Sequence, residues 1–185
     1  MYKIIEFEDI IRVPPSLFNR PLKEAVLEVL REEYEGQIIR DVGYIVSILD
    51  LQVSELGHLV FNDGALYHKT KFEALVFSPQ LQEIVEGEVA LVEEYGLLVR
   101  LGPVDGFIHK SQIFDDFFSY NRDQNIMLGS KTGRILRKND KVRARIVSIS
   151  YGSRRQILRI GLTMRQPHLG KLEWIEQELK GGKNA

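Results

Sequence analysis

The chain has 185 residues, of which 44% are hydrophobic and 28% charged, and its formal net charge is −1. This composition is that of a globular protein long enough for two modest domains. No apolar run approaches the roughly 20 residues that a membrane-spanning helix needs, and the N-terminus lacks a signal-peptide core. The absence of cysteine excludes disulfides, thiolate metal sites and cysteine nucleophiles. We therefore expect a cytoplasmic protein without a membrane segment.

The small net charge conceals an asymmetry along the chain. Residues 1–79 carry 8 Lys+Arg and 13 Asp+Glu, whereas residues 80–185 carry 17 and 13. Residues 134–165 contain 10 Lys+Arg and a single acid, Asp140. Lysine and arginine contacts to phosphates supply general affinity for nucleic acids. This segment is therefore a candidate surface for a polyanion, and a solvated basic face is the alternative.

The first part of the chain predicts a small sheet with one helix. Tyr2–Val13 alternates as a strand does, and Pro14 must end it because proline donates no ladder hydrogen bond. Asn19 can cap the helix that follows, Pro21 is tolerated in its first turn, and Gly36 ends it. The helix should bury one stripe, formed by Leu22, Val26, Val29 and Leu30.

Three further strands are predicted before the domain boundary: Tyr44–Val53, Leu56–Phe61 and Lys71–Phe77. A turn at residues 62–64 separates the last two. The result resembles a truncated RNP-like sheet without the aromatic motif that stacks bases, so we expect a docking platform. Pro79 marks the boundary between a domain of residues 1–79 and one of residues 80–185.

The second part predicts a small barrel. Its apolar runs are short and interrupted by glycines, which is typical of strongly bent strands. The five strand candidates lie around residues 87–94, 97–99, 107–108, 141–150 and 157–164. Five bent strands with one long connection predict an OB-type β-barrel, a fold that commonly binds single-stranded nucleic acid. The fold class is therefore α+β.

Two other segments of the second part carry a pattern. The connection over residues 115–139 is polar, with an aromatic cluster at Phe117, Phe118 and Tyr120, and a connection of this length is usually functional or partly mobile. Near the end, a helical stripe with Trp174 beside it should pack on the barrel or on the domain junction. Its members are Leu172, Ile175 and Leu179.

Three long segments, residues 2–18, 62–79 and 162–176, resemble the larger stalk subunit of archaeal DNA-directed RNA polymerase, the counterpart of the seventh subunit of eukaryotic RNA polymerase II. The likeness covers essentially the whole chain. The barrel alone also resembles the RNA-binding repeat of the largest small-subunit ribosomal protein, a wider and less specific likeness.

The resemblance implies a non-catalytic accessory subunit without a cofactor or a bound metal. Such a subunit forms a heterodimer with a small helical partner and docks on the polymerase core through the tip of its N-terminal domain. Its barrel faces the emerging single-stranded transcript, and the stalk assists promoter opening with the initiation factors.

The resemblance also assigns site residues in the barrel. Tyr95 matches the first aromatic of a Phe-Gly-x-Phe pattern, whose second aromatic is replaced by Leu98. His109 matches the histidine of a Gly-x-x-His-x-Ser pattern, and Phe107 shares its face by strand alternation. The alternative for the two aromatics is barrel core. The full set expected to bind RNA is Tyr95, Phe107, His109, Lys110, Arg143, Arg145, Arg154, Arg155 and Arg159.

For the N-terminal domain, the resemblance implies that the loops around 36–43 and 57–66 form the tip that enters the polymerase core. Its acidic groups would complement basic residues of the core. The candidate residues are Gly36, Asp41, Gly43, Asp63 and Gly64. Their alternative role is backbone geometry alone.

Other functions stay open at this point. One alternative is a free RNA-binding module of translation or RNA decay, and another is a nuclease that uses the barrel as a substrate clamp. The sequence offers no visible active site for the nuclease, because its four histidines lack metal-ligand spacing.

Overall fold

A computed structural model describes residues 1–152 and 157–181. The chain divides into two compact units, Met1–Ser78 and Pro79–Ala185. No helix within the described residues has the length and apolar character needed to cross a bilayer.

The first unit is a four-stranded antiparallel sheet, in the order β1-β4-β3-β2, with one long helix. A short 3₁₀ turn at Pro15–Leu17 precedes the helix. The elements are β1 (Tyr2–Val13), α1 (Leu22–Tyr34), β2 (Ile38–Ile39), β3 (Gly43–Leu59) and β4 (Leu66–Phe77). The buried stripe of α1 packs on the inner face of the sheet, where Ile45 and Phe72 lie in the same core.

The start of α1 differs from the prediction. Its N-cap is Pro21, and no side chain caps it, so the capping role predicted for Asn19 is wrong. The carbonyl of Pro21 accepts the N–H groups of Glu24 and Ala25, at 3.0 Å each, and so begins the helical ladder. At the other end, Gly36 with φ of +82° follows the last turn, as predicted for a helix end.

Strand β3 is also longer than predicted, because it runs without a break from Gly43 to Leu59. The expected separate strand Leu56–Phe61 is therefore wrong. The pairing with β4 shifts between Val53 and Gly57, and this bulge interrupts the sequence pattern without ending the strand.

Within its described residues, the second unit contains nine strands and one helix. Their bounds are β5 (Ile84–Glu93), β6 (Gly96–Arg100), β7 (Asp105–His109), β8 (Phe118–Asn121), β9 (Ile126–Gly129), β10 (Ile135–Arg137), β11 (Lys141–Tyr151), β12 (Leu158–Thr163), β13 (Gly170–Lys171) and α2 (Leu172–Gly181); the 3₁₀ turn Lys110–Gln112 follows β7. Five of the strands form the barrel, namely β5, β6, β7, β12 and β11. It closes because β12 pairs with both β7 and β11, which confirms the five-stranded OB-type prediction.

The long connection within the barrel is itself folded. Strands β8, β9 and β10 form a three-stranded antiparallel sheet, which we call the inserted sheet. Asp116 precedes its first strand and accepts hydrogen bonds from the backbone N–H groups of Phe117, Lys131 and Thr132, at 2.6, 3.1 and 2.9 Å.

Helix α2 buries Trp174 and Ile175, but Leu179 is 55% exposed. The prediction that Leu179 belongs to a buried stripe is therefore wrong. The start of the helix is held by Lys171, whose buried ammonium lies 3.1 Å from Asp140 and 2.8 Å from Glu173.

Candidate nucleic-acid interface

The outer surface of β7 presents an aromatic ring and an imidazole. Phe107 and His109 point outward, whereas Gly106 and Ile108, which alternate with them, are buried. Tyr95, in the turn between β5 and β6, is 65% exposed, and Phe107 is 36% exposed. The alternative that these two aromatics form barrel core is therefore wrong.

A glycine makes room for the Phe107 ring. A Cβ at Gly96 would lie 2.9 Å from Cζ of Phe107 and 2.1 Å from the carbonyl oxygen of Ile108. Both distances are too short for a real side chain. Gly96 therefore allows the ring to lie against the backbone of the neighbouring strand while it stays partly exposed.

The imidazole of His109 is oriented by its own chain. The backbone N–H of Ser111 donates to Nδ1 at 3.2 Å, and the Ser111 hydroxyl lies 2.8 Å from the same nitrogen. Since an N–H group can only donate, Nδ1 is the acceptor, and the proton of the neutral ring is on Nε2. His109 can thus offer an N–H donor to a ligand.

The arginines differ in availability. Arg159 is exposed on β12. Arg143 is held by Glu86, with Nε and Nη2 at 2.8 and 2.7 Å from its carboxylate. Arg145 lies opposite Thr163 of β12, and its Nε is buried without a hydrogen-bond partner in the described part of the chain. Arg154 and Arg155 lie outside the described residues.

The structure thus brings part of the predicted set together. His109 pairs with Gly96, next to Tyr95, and the N–H of Lys110 donates to the carbonyl of Tyr95 at 3.0 Å. Arg145 and Arg159 lie on the strands that follow β7 around the barrel. Sequence reasoning missed Lys131 and Arg165, which line a hollow beside His109. They are distant from it along the chain, and no local pattern connects them.

The five residues predicted for the docking tip do not form one surface. Gly43 lies where β3 begins, beside Phe77 at the end of β4, and Gly36 and Asp41 belong to the same end. Residues 62–64 connect the other ends of β3 and β4. At about 3.3 Å per residue, the length of β4 puts roughly 35 Å between these ends. The prediction of a single tip formed by both loops is therefore wrong.

Asp63 has a structural role at the hairpin end of the sheet. Arg12 donates to both of its carboxylate oxygens at 2.8 Å, and the Tyr67 hydroxyl donates at 2.6 Å. Hydrogen bonds from Arg12 and then from Tyr67 hold the pKa of Asp63 well below its ordinary value. The interpretation of Asp63 as an acid free to meet a basic partner is therefore wrong.

Gly36 and Gly43 have positive φ, +82° and +125°, and so does Asp41 at +65°. A Cβ at Gly43 would lie 2.2 Å from the carbonyl oxygen of Phe77, so a side chain cannot be placed there. The backbone role weighed for these residues accounts for their positions. Gly64, in contrast, has ordinary space around it, with Pro15 at 3.6 Å.

The hairpin end also carries exposed apolar side chains. Phe61 is 92% exposed, Leu56 80% and Leu59 74%. We call these three residues the hairpin patch.

As for metal binding, no group of three or more histidine, cysteine or acidic residues within the described ranges is placed to hold an ion.

Family comparisons match both units of the chain. Residues 8–64 match the SHS2 domain found in the N terminus of Rpb7p/Rpc25p/MJ0397. Residues 78–161 match the S1 RNA binding domain.

Similar proteins match the whole length. DNA-directed RNA polymerase subunit Rpo7 of Saccharolobus shibatae is 47% identical over 97% of this chain and 100% of its own length. The Rpo7 subunit of Sulfolobus acidocaldarius is 43% identical over 97% of each chain. RNA polymerase II subunit RPB7 of Saccharomyces cerevisiae is 28% identical over 74% of this chain and 80% of its own. The resemblance inferred from the sequence is confirmed, and the chain belongs to the Rpo7 family of DNA-directed RNA polymerase subunits.

Proposed function

We propose that this chain is the larger, non-catalytic subunit of the polymerase stalk. It pairs with a small helical subunit, docks on the polymerase core, and presents its barrel to the emerging single-stranded transcript while assisting promoter opening with the initiation factors. Full-length similarity to polymerase subunits supports the assembly. The observation that carries the RNA contact is the exposed group of Tyr95, Phe107 and His109 on an S1 domain.

RNA binding by this surface is expected to tolerate any sequence. Bases stack on Tyr95 and Phe107, and stacking on an aromatic ring contributes about 1–3 kcal/mol per base whatever the base. His109 donates from Nε2, and Lys110, Arg145 and Arg159 meet phosphates. Arg143 contributes less because Glu86 already neutralises it.

Docking on the polymerase core is assigned to the hairpin patch. Exposed apolar clusters on a soluble protein mark interaction sites, and this one lies at the end of a hairpin braced by the Arg12–Asp63 ion pair. The small partner subunit is assigned to α2, whose Leu179 is exposed beyond the part that packs on the barrel.

Affinity purification of the tagged chain from its own cells tests the assembly. We expect the core polymerase and one small helical protein in equal amounts with the chain. Recovery of ribosomes or RNA-decay factors without polymerase subunits would favour the free-module alternative.

Titration of fluorescent single-stranded RNA with the full chain tests the transcript contact. For single strands the logarithm of the binding constant falls with slope about −0.7 per phosphate neutralised, against the logarithm of the salt concentration. We expect this salt dependence, together with weaker binding when His109→Ala and Arg145→Ala are combined. Binding that stayed undiminished at high salt, or in the combined variant, would contradict the proposed RNA contact of the barrel. RNA cleavage during the titration would favour the nuclease alternative.

A further inference from the structure

The inserted sheet and the segment that leads into it line two hollows, the first of which lies beside His109. The first hollow, of about 350 Å³, has His109, Lys110, Phe117 and Lys131 in its lining, together with the acids Asp115 and Asp116. The second, of about 390 Å³, has Lys110, Phe117, Arg122 and the acid Glu94 in its lining. Both share Lys110 and the ring of Phe117, so Phe117 stands between them.

Phe117 is exposed and yet held in place. Its side chain is 68% exposed, whereas the next residue, Phe118, is 2% exposed and anchors the strand. The backbone N–H of Phe117 donates to Asp116, which also accepts from the Thr132 hydroxyl at 2.7 Å. The backbone that carries the ring is therefore already ordered, and it loses little conformational entropy when the ring binds a ligand.

The charges around the first hollow favour a phosphate. Asp115 is paired with Arg165 at 2.6 Å, and the carboxylate of Asp116 is occupied by backbone and hydroxyl donors. Lys110 and Lys131 make no ion pair anywhere in residues 1–152 and 157–181. The acids of the first hollow are therefore engaged, while these two ammonium groups are available.

The hollows continue the surface proposed for the transcript. His109 belongs both to the outer face of β7 and to the lining of the first hollow. Lys110, which lines both hollows, is hydrogen-bonded through its backbone to Tyr95. A strand that leaves Phe107 past His109 thus continues along the lining of the first hollow to Phe117.

We propose that the inserted sheet is a second contact site for the same single-stranded RNA, with Phe117 stacking on a base and Lys110 and Lys131 holding the flanking phosphates. This inference rests on the proposed function of the barrel. A protein segment is the rival occupant, but a single exposed ring between two cations suits a nucleotide better than an apolar side chain.

The test compares Phe117→Ala with Ile135→Ala in the full chain. Ile135 is a matched control, because it is 43% exposed on the same sheet and lines neither hollow. Binding is measured with uridine oligonucleotides of about 4 and about 12 nucleotides, within the range that one OB fold covers. Phe117→Ala should weaken binding of the longer oligonucleotide about 5- to 150-fold, the range that the loss of one stacked base implies. The affinity of Phe117→Ala for the shorter oligonucleotide should stay unchanged. The affinity of Ile135→Ala for both oligonucleotides should stay unchanged as well.

A second variant does not depend on the packing of Phe117. Lys131→Gln should reduce the salt slope for the longer oligonucleotide by about 0.7, the loss of one phosphate contact. An unchanged slope, or unchanged affinity of Phe117→Ala for the longer RNA, would overturn the inference. An equal loss of affinity for both oligonucleotide lengths would also overturn it, because Phe117 would then belong to the barrel surface around Phe107 and His109.

Phe107→Ala separates this inference from the proposed function. If it weakens binding of both lengths while Phe117→Ala weakens neither, only the second site is wrong. If the unaltered chain binds neither oligonucleotide, the proposed function of the barrel fails as well. A benzophenone photocrosslinker replacing Phe117 in the assembled polymerase should label the transcript, and labelling of a protein subunit instead would overturn the inference.

Discussion

Phe107 and Leu98 lie opposite each other on β7 and β6. In the Phe-Gly-x-Phe pattern that the sequence resembles, Tyr95 stands for the first aromatic and Leu98 replaces the second. Leu98 is half-buried and points outward with Phe107. Under the proposed function, an aromatic ring at position 98 would add a platform on which a base can stack.

Leu98→Phe should restore the missing ring. We expect affinity for single-stranded RNA to rise about fivefold or more, since one further stacked base contributes at least about 1 kcal/mol. Fluorescence anisotropy titration measures the change, and Leu128→Phe on the inserted sheet, an exposed leucine that lines neither hollow, is the control. Equal gains for both variants would indicate general hydrophobic attraction, and no gain for Leu98→Phe would contradict the assigned platform.

The inserted sheet is organised around a single carboxylate. Asp116 joins the start of β8 to the turn that follows β9, and a Cβ at Gly129 would lie only 2.6 Å from one of its oxygens. Burial by itself would raise the pKa of Asp116. Hydrogen bonds from Thr132, Lys131 and Phe117 outweigh that effect and lower the pKa to about 2.

This shift predicts how the stability of the second unit depends on pH. Because the pKa of Asp116 is lower in the folded state, its contribution is complete above the unfolded pKa of about 3.9 and is lost as the pH falls through about 2. Asp116→Asn should therefore lower the thermal unfolding midpoint at pH 7, and the difference from the unaltered chain should shrink between about pH 4 and 2. Circular dichroism melts of both proteins across this range measure it, and a constant difference would contradict the prediction.

Over the whole molecule, each unit presents a surface of its own kind. The first unit holds most of the acidic excess and carries the hairpin patch, whereas the second carries the basic strands and the exposed rings. Loops 36–43 and 57–66 lie at opposite ends of the sheet. A docking surface at one end therefore does not need to include the other end.

Phe61→Asp should therefore weaken association with the polymerase core, because it places a charge in an apolar contact. Ile4→Asp is the matched control, since Ile4 is 63% exposed and pairs with Leu75 towards the opposite end of the sheet. Association is measured by co-purification of core subunits with each tagged variant, and circular dichroism checks the fold. Loss with both variants, or with Ile4→Asp alone, would contradict the assignment to the hairpin end.

The strands of the barrel, the single helix of the first unit and the shared face of Phe107 and His109 could all be predicted from the sequence, because alternation and helical periodicity are local properties of the chain. Whether that face was barrel core or outer surface stayed open until the structure showed both side chains pointing outward. The sequence also determined the family, through long matching segments. Contacts between residues that are distant along the chain became known from the fold. Asp63 is neutralised by Arg12 and Arg143 by Glu86, the two predicted tip loops lie apart, and Lys131 and Phe117 line one hollow with His109. Such pairings arise when strands are brought into register, and no local pattern records which partner a charged or aromatic side chain will find.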